Sequence, residues 1–123
     1  MGTRVLDVGL PRGALRQNGD VDADHAGEFG GDTRRVFLRG HSAGAYNAAM
    51  IALDPQYLRA AQVDRKRIAA LIGLAGPYDF LPLTGPVTQG VFGFPDTPIT
   101  TQPIHFVTAD DPPALLLTGG DDT

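Results

Sequence analysis

Cysteine is absent from the 123 residues, which removes disulfides, thiolate metal sites and a cysteine nucleophile from consideration. No apolar run approaches the roughly 18–20 residues that a membrane span requires, and Met1-Gly2-Thr3-Arg4 is followed by no signal-peptide core. Leu6 stands where an N-myristoylation signal carries Ser or Thr, so no lipid anchor is expected. Positive charge is not in excess: 10 Lys and Arg against 14 Asp and Glu leave a net charge of −4, and no electrostatic reason to bind nucleic acid or an anionic membrane. No internal repeat is present, and no metal or cofactor is expected. These absences point to a cytoplasmic chain that forms one domain at most, or part of one.

What is present is organised around Arg35 to Leu53. The apolar run Val36-Phe37-Leu38 leads into Gly40-His41-Ser42-Ala43-Gly44, and the small-residue segment Ala45 to Leu53 follows. A strand pattern that ends in G-x-S-x-G and opens into a helix former is the sequence form of a nucleophile elbow, which holds a serine on a tight turn. Side chains two positions before or after that serine would meet the neighbouring strand or helix, and Gly40 and Gly44 remove them. The first turn of the helix leaves its N–H groups without partners, so the N–H of Ala43 is an oxyanion donor candidate.

Along the rest of the chain, residues 1–22 are broken by Gly9, Pro11, Gly13 and Gly19, with at most a short strand at Val5 to Val8. Val21 to Phe29 reads as a helix end that carries His25 at the surface, and Gly30-Gly31-Asp32 reads as a turn. The segment after the elbow is apolar nearly all round and is expected to be buried; Asp54-Pro55 ends it and caps a second helix through Tyr57 and Leu58. Ile68 to Leu74 and Ala114 to Leu117 read as buried strands. Pro and Gly recur over residues 81–104, which predicts a long loop or small cap. Three buried strands joined by helical or loop crossovers make a mostly parallel α/β sheet with helices on both faces. The ligand site of such a sheet lies at the carboxyl ends of its strands. Ser42 and the pair Asp121-Asp122 sit at such ends, as acyl transfer through a serine, a histidine and an acid requires.

The stretch from Asp32 to Leu53 resembles the nucleophile region of α/β-hydrolase-fold esterases, in particular the acetyl esterase/lipase-like carboxylesterases. Gly76-Pro77-Tyr78-Asp79 and the run Asp111-Pro112-Pro113-Ala114 through Gly119-Gly120-Asp121-Asp122 are similar to the segments that follow in that family. The resemblance covers roughly residues 24–123 and implies a single, partial α/β-hydrolase domain acting on small-molecule carboxylic esters through an acyl-enzyme. It implies Ser42 as nucleophile, Ala43 as oxyanion donor and Asp122 as triad acid, with Asp79 the second choice for the acid and a loop-ordering hydrogen bond its expected role. Amide hydrolysis and a non-catalytic, interacting remnant are the alternatives.

Two parts that the family carries have no counterpart: a His-Gly-Gly loop ahead of the elbow, and a histidine after a further strand beyond the acid. The chain is therefore expected to be a fragment with a displaced start over residues 1–22 and a truncated end, nearly inactive, and prone to self-association through its open sheet edges. His41 and His105 are the available substitutes for the base, and neither has the expected position.

Overall fold

A computed structural model describes residues 2–7, 28 and 30–122. Four strands form one parallel sheet in sequence order: β1 (Gly2–Asp7), β2 (Gly31–His41), β3 (Ile68–Leu74) and β4 (Ala114–Leu117). Because every strand runs the same way, all carboxyl ends share one rim. The row His41, Leu74 and Leu117 is in register across β2, β3 and β4 and marks that rim.

β2 extends well beyond Val36 to Leu38. The turn expected over Gly30-Gly31-Asp32 is confined to Gly30, at φ 77°, and the strand starts at Gly31, which pairs with Gly2 of β1. Pairing with a neighbour outweighs the local turn preference of Gly and Asp there. β1 itself takes in the Val5 to Val8 strand as far as Asp7; Val8, His25 and the helix end expected after Val21 lie outside the described residues, apart from Glu28.

Helix α1 (Ala43–Leu53) packs on the face of β2 that carries Val36, Leu38 and Gly40. Its alanines bring it close to the sheet, and Val36, Leu38, Ala48, Ala49, Ile51, Ala52, Leu58, Ile68 and Leu71 form the core. Asp54 ends α1 and starts α2 (Pro55–Ala60), as its sequence position implies. It is 3% exposed, its N–H donates to Met50 O at 2.9 Å, and its carboxylate accepts from the Gln56 N–H at 3.0 Å. A 3₁₀ turn, Arg65–Arg67, feeds β3, and Arg67 Nε donates to Thr33 O at 2.8 Å, tying that turn to β2.

β4 departs from expectation. All four of its residues are exposed, with Leu115, Leu116 and Leu117 at 54%, 53% and 50%, because β4 is the sheet edge and no described element lies beyond it. The Pro/Gly-rich segment folds as a small cap: α3 (Pro86–Phe92) and the 3₁₀ turns Ile99–Thr101 and Pro103–Phe106. Among the described residues no helix is long and apolar enough to cross a membrane.

Candidate functional site

Ser42 stands between the end of β2 and the start of α1 with φ 54° and ψ −121°, a left-handed conformation that L side chains rarely adopt. Three hydrogen bonds hold it there. Its N–H donates to Leu74 O on β3 at 2.8 Å, and its carbonyl accepts from the N–H groups of Ala45 at 3.0 Å and Tyr46 at 3.2 Å. The glycine argument has a direct geometric basis at Gly40, where a Cβ would lie against the carbonyl of Gly44 and 2.5 Å from the amide nitrogen of Ala45. Ser42 and Ala43 are exposed, and the Ala43 N–H makes no hydrogen bond among the described residues. A strained, exposed hydroxyl beside an unpaired N–H at a helix start is an arrangement that can bind a developing oxyanion.

Asp122 is at the same rim, two strands away. It lies five residues beyond the end of β4, in the turn that follows that strand. Its N–H donates to Gly119 O at 3.2 Å, and its carboxylate accepts from Thr118 Oγ1 at 3.0 Å. These bonds shape the turn after β4, and Asp121 is exposed beside it.

No histidine among the described residues bonds to Ser42 or Asp122. His41 is exposed at the end of β2, and the His105 ring meets the neighbouring Phe106 edge-on, centroids 5.0 Å apart. Asp79 is exposed after β3, and its carboxylate makes no hydrogen bond among the described residues. The loop is ordered instead through the residues on either side of Asp79, by Ile104 N–H donating to Tyr78 O at 3.1 Å and Phe80 N–H donating to Gln102 Oε1 at 2.8 Å. Among the described residues no three His, Asp or Glu side chains gather as a metal site would require.

Sequence reading missed how the cap is fastened to the elbow helix. Tyr46, one turn after Ser42, packs edge-on against Phe80 and Phe92 at 5.8 and 5.4 Å, and those two rings are 5.3 Å apart. Its hydroxyl donates to Thr101 O at 2.9 Å, so one side chain holds both ends of the cap. Gln102, 1% exposed, closes the neck through Phe80. The Tyr78 ring fills the space that Gly73 and Gly76 leave on the sheet; burial pushes its phenol up, and its hydroxyl has no partner among the described residues. A cavity of about 350 Å³ within the cap is lined by Leu81, Pro82, Leu83, Phe94, Pro95 and Thr97.

A family model, BD-FAE, matches residues 23–123. Among solved structures the chain is similar to esterase 2 of Thermogutta terrifontis: to its apo form at TM-score 0.56 and 24% identity, over 85% of this chain and 38% of that one. Its butyrate-bound form matches at 0.57 and 18%, over 90% and 44%, and its propionate-bound form at 0.58 and 21%, over 90% and 43%. The chain thus spans less than half the length of these esterases and shares their fold. A comparison with curated proteins finds no match.

Proposed function

Because this chain belongs to the BD-FAE family, we propose that it carries the nucleophile-bearing part of a serine hydrolase of carboxylic esters. Ser42 Oγ attacks the ester carbonyl carbon, the bond to the alcohol oxygen breaks, and the alcohol leaves with the proton that a base has taken from Ser42. Water then cleaves the acyl-serine to the free acid. Ala43 N–H stabilises the oxyanion, and Asp122 orients the base. The observation that carries this reading is the left-handed Ser42 beside an unpaired N–H. The butyrate and propionate bound to the structural neighbour favour short acyl chains.

A base is the part that the described residues do not supply to Ser42, and without one turnover is slow. Loss of the histidine from a serine hydrolase lowers kcat by about a millionfold. The test is intact-mass labelling with a fluorophosphonate, which Ser42 makes unambiguous because it is the chain's single serine. The expected result is slow formation of one adduct, accelerated by added imidazole and absent from Ser42→Ala. Labelling that persists in Ser42→Ala, or no adduct in the native sequence, overturns the assignment.

Self-association is the second proposal. Among the described residues the outer edge of β4 has no strand partner and carries three exposed leucines, a template for a second copy. Light scattering across a hundredfold range of concentration is expected to show oligomers that Leu115→Lys diminishes. A native chain that stays monomeric throughout defeats the proposal.

A further inference from the structure

Lysine and arginine stop at Arg67: residues 68–123 contain neither, while they carry Asp79, Asp96, Asp110, Asp111, Asp121 and Asp122. The parallel sheet turns this asymmetry along the chain into one in space. Arg34 and Arg35 come just before Val36, where β2 begins to pair with β3, and Arg65, Lys66 and Arg67 precede β3, so these bases lie toward the amino rim. Arg34 bonds to Asp32, which it holds below the usual carboxylate range, and Arg65 pairs with Asp111. The carboxyl rim, where Ser42 is exposed, carries Asp79 after β3 and Asp121 and Asp122 after β4, all exposed, with Asp96 exposed in the cap.

Seven residues of β3 separate the two rims. At about 3.3 Å per residue that is roughly 20 Å, about two Debye lengths at physiological salt; at 10 mM salt, where that length is about 30 Å, the amino-rim bases also act, but Arg34 is offset by Asp32 and Arg65 by Asp111, and the chain's net charge is −4. Arg39, near the end of β2, belongs to the face away from α1, since Gly40 faces that helix, and it already has a partner. Residues 8–27 add Arg12 and Arg16 against Asp20, Asp22 and Asp24, which does not reverse the sign.

We propose that this rim selects esters by charge, taking cationic and neutral esters in preference to esters that carry a carboxylate. The inference rests on Ser42 being the nucleophile. Three or four carboxylates on the rim that exposes Ser42, with no lysine or arginine after Arg67 to oppose them, concentrate cations and repel anions, an effect that salt abolishes.

The test compares rates of Ser42 labelling by three phosphonate probes of equal size and leaving group, one neutral, one with a quaternary ammonium and one with a carboxylate. The full chain is used at pH 8, above the ordinary histidine range. The cationic probe is expected to react about tenfold faster than the anionic one at 10 mM salt, and the two rates to converge at 1 M. The double variant Asp79→Asn, Asp121→Asn narrows their ratio at 10 mM salt, whatever its effect on the neutral probe. Equal rates at low salt, or a preference that survives 1 M salt, overturns charge selection while leaving the nucleophile in place. Absence of labelling by all three probes overturns the reading of Ser42, and the inference with it.

Discussion

Gly40→Ala is expected to lower stability by about 3 kcal/mol, a large share of the roughly 5–15 kcal/mol that holds a domain folded, and to abolish labelling at Ser42. The added methyl meets only backbone: the carbonyl of Gly44 and the amide of Ala45, neither of which can rotate away as a side-chain tip would. The atoms around it are fixed from both sides. Gly40 is in register with Gly73 in the ladder, and the first turn of α1 is held by the bonds from Ala45 and Tyr46 to the Ser42 carbonyl. Relief therefore requires α1 to lift from the sheet, taking Ala48, Ala49 and Ala52 out of the core. Urea unfolding followed by circular dichroism measures the loss. Gly90→Ala is the control: Gly90 lies inside α3 with nothing within 4 Å of the added methyl, and the change is expected to be neutral or slightly stabilising. Equal midpoints for Gly40→Ala and the native chain would remove the close approach from the account of the elbow.

Gln102→Ala is expected to cost about 2–4 kcal/mol and to free the cap before the sheet unfolds. Gln102 Oε1 is the acceptor for the Phe80 N–H, and its Nε2 donates to Thr101 Oγ1 at 2.9 Å. Truncation leaves a cavity at a site 1% exposed and strips the Phe80 amide of its partner. The Tyr46 hydroxyl still holds Thr101 and the three rings still touch, so the neck loosens without dispersing. Limited proteolysis reads this directly. Trypsin has no site after Arg67, whereas chymotrypsin meets Phe80, Leu83 and Phe92; Leu81 and Phe94 precede proline and are not cleaved. Cleavage within residues 80–94 is expected to accelerate at least tenfold, with the α1 segment still protected. Unchanged cleavage there would mean that the cap is held by its aromatic contacts alone.

The parts of the molecule that were legible in the sequence are those whose cause lies within a few residues. The tight turn at Ser42 follows from Gly40, two positions before it, and the junction of α1 and α2 from Asp54-Pro55. β3 is legible from an unbroken apolar run, and the cap's lack of long elements from its prolines and glycines. Each is a constraint of backbone geometry or periodicity that the local sequence states outright.

Tertiary structure decided what depends on partners remote in the chain. The start of β2 at Gly31 answers to its pairing with Gly2, and the exposure of β4 to the absence of a described neighbour at its edge. Gln102 reads as one more polar residue in a Pro-rich stretch until the fold brings Phe80 against it, and nothing near Tyr46 announces that its hydroxyl reaches Thr101. The same is true of charge. A sequence with no lysine or arginine after Arg67 has a lopsided composition, and only parallel strands, which send every carboxyl end to one side, place Asp79, Asp121 and Asp122 on the rim where Ser42 is exposed. Local conformation is governed by sterics between near neighbours, while the surroundings of a side chain are governed by which distant segments the packing brings within a few ångströms.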